Sequence, residues 1–165
     1  KEKLSLLSIK YQNISYKICL LSNKIQELKF FNMGYGSSVY EEKTSHPRKI
    51  EYIKSTTLKD ELSKLSINTN NNIIKLDVQG SEIDILNGLQ DDISLFEVII
   101  LETSLKEYNK NSPLFLEVIN YMDTKAFSLY DICDMKRLGG KSSFLVQFDA
   151  VFVRKNSNIL NLNFI

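Results

Sequence analysis

The sequence is poor in the residues that most often bind metals. Among 165 residues it contains one histidine, His46, and two cysteines, Cys19 and Cys133. These residues are widely separated and form no metal-ligand cluster, which argues against a zinc site. His46 lies in a polar loop beside Pro47, where we expect it to be solvated. Each cysteine lies in an apolar run, so we expect both to be reduced core residues of a cytoplasmic protein.

Long apolar runs and an excess of one charge are also absent. The longest apolar runs, such as 98–101, are far shorter than the roughly 20 residues that span a bilayer. The N-terminal residues Lys-Glu-Lys-Leu do not form a signal peptide. The 21 basic and 20 acidic residues are interspersed, which argues against a nucleic-acid partner. We expect one domain over residues 1–155, followed by an Asn-rich tail over 156–165.

The most informative segment, residues 72–89, has the pattern of a strand, a turn and a helix. The strand is predicted from a short apolar run of the kind seen in buried parallel strands, formed by Ile73, Ile74, Leu76 and Val78. Gly80 ends this strand, and Ser81 is a good N-cap for the helix. The apolar face of the helix is formed by Ile83, Ile85, Leu86 and Leu89.

Three polar side chains lie where this strand ends. Asp77 lies at the carboxyl end of the strand, and Gln79 and Glu82 follow within one short turn. In open α/β sheets, ligands bind at this edge. An alternative for Glu82 and Asp84 is that acidic residues are favoured in any first helical turn. Asp77 is harder to explain in this way, because a carboxylate inside an apolar strand costs free energy unless it is paired or lies in a cleft.

The remaining chain also alternates between strand and helix patterns. Strands are predicted at 14–21, 28–33, 50–55, 97–101, 127–132 and 144–153, the first two as a hairpin. A helix is predicted after Thr57, with Asp60 as a capping partner, and another after Ser112-Pro113, with Pro113 at the first helical position. From residue 72 onward the pattern predicts an α/β sheet with right-handed βαβ units and a final antiparallel pair.

The segment Gly34-Tyr-Gly36-Ser-Ser has some of the character of a phosphate-binding loop. No apolar helix follows it, since residues 41–48 are polar and contain Pro47. An ordinary turn is therefore the expected structure.

The sequence of residues 74–88, Ile-Lys-Leu-Asp-Val-Gln-Gly-Ser-Glu-Ile-Asp-Ile-Leu-Asn-Gly, resembles the signature of the FkbM family of S-adenosylmethionine-dependent methyltransferases. Four other stretches resemble family segments in the same order, at 31–40, 55–62, 100–104 and 146–154. The resemblance implies a Rossmann-like class I methyltransferase sheet, mostly parallel with an antiparallel closing strand. It also implies methyl transfer to an oxygen of a small molecule, such as a glycan, lipid-linked or secondary-metabolite hydroxyl.

Carried over to this sequence, the resemblance assigns roles to individual residues. Asp77, Glu82 and Glu102 would be catalytic, with a carboxylate positioning or deprotonating the substrate hydroxyl. Asp77, Gln79 and Gly80 would bind the cofactor, and either Asp77 or Glu102 could contact it.

The sequence departs from the family at its N-terminal side. Such enzymes have a first strand ending in a Gly-rich cofactor loop and a second strand ending in an acidic residue, and neither is found here. The chain begins with lysine within a helical pattern, so we expect it to be the C-terminal portion of a longer protein that lacks the first strands. The alternative is a degenerate, non-catalytic module that keeps the fold to bind a glycan or a partner chain.

Overall fold

The computed structural model describes residues 2–65, 72–139 and 143–161, and it has an α/β architecture with two sheets. The α-helices are α1 (Glu2–Lys10), α2 (Leu58–Leu62), α3 (Glu82–Asn87) and α4 (Phe115–Thr124). The strands are β1 (Leu20–Leu21), β2 (Glu27–Asn32), β3 (Lys49–Thr56), β4 (Asn72–Leu76), β5 (Phe96–Ser104), β6 (Phe127–Leu138) and β7 (Phe144–Arg154). Short 3-10 helices cover Gly34–Gly36, Gln90–Leu95 and Asn158–Leu160.

The larger sheet has four strands in the order β4-β5-β7-β6. β4 and β5 pair in parallel across the α3 crossover, and β7 pairs antiparallel with both β5 and β6. The α/β class and the antiparallel closing strand agree with the sequence predictions. A mostly parallel, Rossmann-like sheet is not confirmed, because parallel pairing within the described ranges is limited to β4 with β5 and β1 with β3. The division into a domain and a tail at residue 155 stays a prediction.

The smaller sheet has the order β1-β3-β2, so the predicted hairpin over 14–33 is wrong. β3 lies between the two strands, parallel to β1 and antiparallel to β2. Only Leu20–Leu21 of the predicted first strand is a strand. The alternating side chains of Ile14, Tyr16 and Ile18 are exposed. Alternation alone therefore misled the prediction, since these side chains are exposed and no partner strand continues beside them within the described ranges.

The core lies between the larger sheet and helices α3 and α4. Leu76, Leu101 and Ala150 are register neighbours on β4, β5 and β7, and all three are buried. The helices contribute the apolar residues that their spacing predicted, among them Ile85, Leu86, Val118 and Met122. Burial of each large apolar side chain contributes roughly 1.5–3 kcal/mol to folding, so this interface anchors the β4–α3 connection.

The starts of two helices can be compared with the local signals that predicted them. The hydroxyl of Thr57 accepts a hydrogen bond from Asp60 N at 3.0 Å, as predicted for the start of α2. α4 begins at Phe115 rather than at the predicted Pro113. The carboxylate of Glu117 accepts a bond from Leu114 N at 2.8 Å, which satisfies an otherwise free donor at this helix start.

Both cysteines are exposed, so their predicted place in the core is wrong. Cys19 precedes the two-residue strand β1, and Cys133 lies on β6, a strand at the edge of its sheet. An edge strand with one uncovered face leaves even apolar side chains in solvent, which explains the error. His46 is exposed, as expected for its polar loop. Among the helices that the structure describes, none is long and apolar enough to cross a membrane.

Candidate functional site

The site is centred on the turn that joins β4 to α3. Asp77 directly follows the last residue of β4, and Gln79 and Gly80 then take positive φ angles of 54° and 103°. These two conformations turn the chain sharply into α3. Asp77 is exposed at the end of the strand rather than enclosed within it. The burial cost that singled it out therefore does not arise, although its position at the carboxyl end is as expected.

Glu82, the first residue of α3, is only 5% exposed and holds the backbone of this turn. Its Oε1 accepts hydrogen bonds from Val78 N at 3.1 Å and Gly80 N at 3.2 Å. Ser81 was predicted to cap α3, but its hydroxyl donates to Val78 O at 3.2 Å and makes no cap bond. Burial raises the pKa of Glu82 to about 7, and the backbone N–H donors partly oppose this increase.

Glu102 is the second buried acid, only 4% exposed, and it lies within β5, which continues to Ser104. Its carboxylate accepts a hydrogen bond from Gln79 Nε2 at 2.6 Å and forms an ion pair with Lys136 of β6. Burial raises the pKa of Glu102, the charge of Asp77 adds to the increase, and the Lys136 ammonium opposes it.

Gln79 connects the exposed acid to the buried one. Its Nε2 also donates to Asp77 Oδ1 at 3.3 Å, so one amide group contacts both carboxylates. Asp77, Gln79 and Glu102 therefore meet at the carboxyl end of the parallel β4–β5 pair, where the sequence predicted that they would. Their catalytic and cofactor-binding roles stay predictions, as do those of Glu82 and Gly80.

A second ion pair lies beside these residues and was not predicted. Lys75 of β4 pairs with Asp149 of β7, and Asp149 is the register partner of Glu102. Alternation along β4 places Lys75 and Asp77 on the same face of the sheet, which is a signal that could have identified Lys75. Lys136 could not have been found in this way, because the β6–β7 register shifts between Cys133 and Lys136.

Asp77 also lines a pocket of roughly 470 Å³. This volume lies in the ~300–1,000 Å³ range of small-molecule sites. Asp77 and Ser81 form part of its wall, and most of the remaining lining is apolar, from Ile18, Cys19, Leu20, Leu21, Phe30, Val39, Ile53, Val78 and Ile85. Asp77 therefore faces both an apolar pocket and the amide of Gln79.

Gly80 is explained by protein packing. A Cβ added to Gly80 would lie 2.6 Å from the Cβ of Ser112, so the glycine admits Ser112 rather than leaving room for a ligand. Metal chemistry has no support in the ranges described, since they contain no group of three or more His, Cys, Asp or Glu residues suited to hold an ion. A bound organic cofactor could reach the carboxylate of Asp77, the apolar wall and three serines that also line the pocket, Ser37, Ser38 and Ser81. This lining fits a molecule that carries positive charge and hydroxyl groups.

These features define the class of the protein as an α/β domain with a cluster of acidic side chains at the ends of two parallel strands. A family model described as the methyltransferase FkbM domain matches residues 11–129, which include Asp77, Gln79, Glu82 and Glu102. The chain belongs to the FkbM methyltransferase domain family, as the resemblance of residues 74–88 predicted. Methyltransferases of this family generally use S-adenosylmethionine. No curated protein and no solved structure matches the chain.

Proposed function

We propose that this protein binds S-adenosylmethionine and methylates a hydroxyl oxygen of a small molecule, such as a glycan, a lipid-linked compound or a secondary metabolite. The proposal rests on family membership and on one structural observation, the contact of the Gln79 amide with both Asp77 and Glu102. An exposed carboxylate held by a neutral amide, beside a pocket of ligand size, suits the binding and deprotonation of a hydroxyl group.

The roles we propose follow from the exposure of each group. S-adenosylmethionine, when bound, would supply an electrophilic methyl group. The exposed carboxylate of Asp77 would accept the hydrogen bond of the substrate hydroxyl and take its proton. The Gln79 amide would fix the orientation of Asp77, and Glu102 would fix that of Gln79. The main contribution to rate would come from holding the two reactants in line, with proton removal adding to it.

We propose that cofactor binding also involves the β4–α3 turn. Asp77 lines the pocket and can accept a hydrogen bond from a ligand there. Gln79 and Gly80 would contribute through the shape of the turn, because the Gln79 amide is engaged by the two carboxylates. Glu82 would contribute by holding the same turn, since its Oε1 is bonded to two backbone N–H groups. The two exposed free thiols, Cys19 and Cys133, support a reducing location such as the cytoplasm.

A second candidate function is a degenerate module that binds a ligand without catalysis. The observation that favours it is the engagement of Glu102, which is buried and already paired with Lys136 and Gln79. Such a closed ion pair resembles structural pairs that shift pKa values without taking part in chemistry.

Calorimetric titration of the folded protein with S-adenosylmethionine and its demethylated product tests the proposal. We expect saturable binding of both compounds and a tenfold or greater loss of affinity in Asp77→Asn, about the value of a hydrogen bond to a charged group. Asp91→Asn is the matched control, because Asp91 is exposed and lies outside the pocket. Absence of binding by protein with a normal unfolding transition would contradict the proposal and favour the binding module.

A further inference from the structure

The backbone carbonyl of Gln79 is held by two buried side chains from distant parts of the chain. Ser38 Oγ donates to Gln79 O at 2.8 Å, and Asn109 Nδ2 donates to the same oxygen at 2.9 Å. Ser38 is 2% exposed and Asn109 is 3% exposed. Two donors therefore use both lone pairs of a single carbonyl, with almost no access for water.

This arrangement matters because Gln79 has a backbone conformation that favours glycine. Its φ of 54° lies in the left-handed region, which costs free energy for a residue with a side chain. Strained conformations of this kind persist only where surrounding contacts fix them. The two bonds to the carbonyl supply such contacts, and they also fix the point from which the Gln79 side chain extends to Asp77 and Glu102.

The two donors come from loops that are joined to each other. Ser38 lies in the β2–β3 loop and Asn109 in the β5–α4 loop. The loops exchange backbone bonds, from Lys43 N to Tyr108 O at 2.9 Å and from Lys110 N to Glu41 O at 2.8 Å. We call Ser38 and Asn109, with the carbonyl that they share, the Ser38–Asn109 clamp.

Ser112 packs against the same turn and is hydrogen-bonded to Asn109. Its hydroxyl donates to Asn109 O at 2.8 Å, and its Cβ occupies the space beside Gly80. Residues on both sides of the Gln79–Gly80 turn are therefore fixed in position by packing or hydrogen bonds, so the turn has little freedom to change shape.

We propose that Ser38 and Asn109 are positioning residues of the site: together they set the conformation of Gln79 and through it the alignment of Asp77 and Glu102. The link to methyl transfer rests on the proposed function, whereas the clamp itself rests on the contacts alone. The proposal also gives a role to the Gly34–Ser38 segment. Gly34–Gly36 forms a short 3-10 turn, and Ser38 exchanges backbone bonds with Phe31 at 2.8 and 3.2 Å, which directs its hydroxyl to Gln79.

The side-chain amide of Gln79 is the reporter that tests the clamp. In ¹H–¹⁵N spectra, the two Nε2 proton resonances of Gln79 identify themselves by their loss in Gln79→Glu. We expect Ser38→Ala and Asn109→Ala each to shift these resonances toward the values of a solvated glutamine, because the amide loses its fixed contact with Glu102. Ser38→Thr keeps a hydroxyl and should restore the native resonances.

Ser55→Ala is the matched control. Ser55 is also buried, and its hydroxyl also donates to a backbone carbonyl, that of Lys24 at 2.8 Å, which is not part of the β4–α3 turn. This variant should lose stability to a similar extent without moving the Gln79 amide. Unchanged Gln79 resonances in both clamp variants, or an equal shift in Ser55→Ala, would overturn the proposal.

The same variants separate failure of the clamp from failure of the proposed function. If the protein binds S-adenosylhomocysteine, we expect Asn109→Ala, which changes a clamp residue outside the pocket lining, to raise the Kd about tenfold and Ser55→Ala to leave it unchanged. If the wild-type protein does not bind this compound, the proposed function fails, yet the shift of the Gln79 resonances still supports the clamp. A normal Kd in Asn109→Ala with shifted Gln79 resonances would contradict the claim that the clamp serves the ligand site.

Discussion

Two glutamates beside the β4–α3 turn are almost equally buried and are held in different ways. On the turn side, Glu82 accepts bonds from two backbone N–H groups that lie within four residues of it. On the strand side, Glu102 is held by Gln79 and Lys136, two side chains from different parts of the fold. The exposed fractions of Glu82 and Glu102 are 5% and 4%, so the two residues do not differ in burial. They differ in the kind of hydrogen-bond partner that holds them.

The difference determines which acid can change its contacts without movement of the backbone. Backbone donors have fixed positions, so releasing Glu82 would require the turn itself to change shape. Side-chain partners can change rotamer, so the contacts of Gln79 and Lys136 with Glu102 can change without movement of the backbone. Lys136 is 43% exposed at its side chain and can reach solvent when it leaves the pair. We therefore propose that Glu82 maintains the turn and that Glu102 can respond to a ligand at Asp77 through the Gln79 amide that contacts both carboxylates.

The largest loss of stability should come from a substitution at Gly80, in the β4–α3 turn. In Gly80→Ala the new Cβ would meet the Cβ of Ser112, and the residue would also retain a φ of 103°. Overpacking costs roughly 1–3 kcal/mol and a left-handed residue about 1–2 kcal/mol, so we expect a loss of about 3 kcal/mol in urea unfolding. Gly34→Ala is the control, because its φ is 77° but no atom lies within 4 Å of the added Cβ. A loss in Gly80→Ala no greater than in this control would show that Ser112 does not restrict the turn.

An effect of similar size is a dependence of the free energy of unfolding on pH, which originates at Glu82. Burial raises its pKa from 4.5 to about 7, so the folded state binds the proton more tightly than the unfolded state. Its stabilising contribution is complete below pH 4.5 and is lost as the pH rises through 7. The difference amounts to something on the order of 3 kcal/mol.

Unfolding curves of wild type and Glu82→Gln between pH 4.5 and 8 measure this contribution. The difference in free energy of unfolding between the two proteins should change in favour of Glu82→Gln as the pH rises. A constant difference across this range would show that Glu82 titrates normally and is not buried as described.

A smaller effect is expected on the strand side when Lys136 is removed. Lys136→Met takes away the cation that opposes the raised pKa of Glu102, so that pKa should rise further. Because Lys136 is partly exposed, we expect a loss of only about 1–2 kcal/mol in stability at pH 8. Carbon-13 NMR of the Glu102 carboxyl measures the pKa directly. Lys75→Met is the matched control, since Lys75 is similarly exposed but pairs with Asp149. An equal rise of the Glu102 pKa in Lys75→Met would contradict the claim that Lys136 is the cation that lowers it.

The smallest loss of stability is expected at Tyr40, which lies in the β2–β3 loop and contacts the turn. Tyr40 donates its hydroxyl to Asp84 Oδ2 at 2.8 Å, and its ring lies near Gly80. Tyr40→Phe keeps the ring and removes the bond, so we expect a loss of about 1 kcal/mol in unfolding free energy. Tyr52→Phe should have no effect, because Tyr52 is 68% exposed. A loss in Tyr40→Phe no larger than in Tyr52→Phe would mean that the Asp84 bond does not stabilise the turn.

The sequence predicted the parts of the fold that depend on local pattern. The β4–α3–β5 unit followed from one apolar run, one glycine and a helical period, and burial at the interface with α3 enforces that pattern. The first strand was overpredicted because its alternating side chains at Ile14, Tyr16 and Ile18 have nothing to cover them. Cys19 and Cys133 were misplaced for the same reason, since an apolar neighbourhood in sequence does not ensure cover in space.

The site was predictable only where parallel strands end together. Because the carboxyl ends of parallel strands lie at one edge of a sheet, Asp77, Gln79 and Glu102 were expected to lie close together, as they do in the structure. Lys136 depends on irregular register in the β6–β7 pair, which no periodic pattern reveals. Ser38 and Asn109 reach Gln79 across separations of 41 and 30 residues, and loop-to-loop contacts of this length leave no mark on local sequence.

The most direct test is to observe both buried carboxyls while S-adenosylhomocysteine is added. In protein labelled with carboxyl ¹³C-glutamate, Glu82 and Glu102 are assigned by their loss in Glu82→Gln and Glu102→Gln. We predict that saturating ligand moves the resonance of Glu102 and leaves that of Glu82 in place, because only Glu102 is held by partners that can be exchanged. Movement of Glu82 with Glu102 unchanged, or no movement of either resonance, would contradict the account.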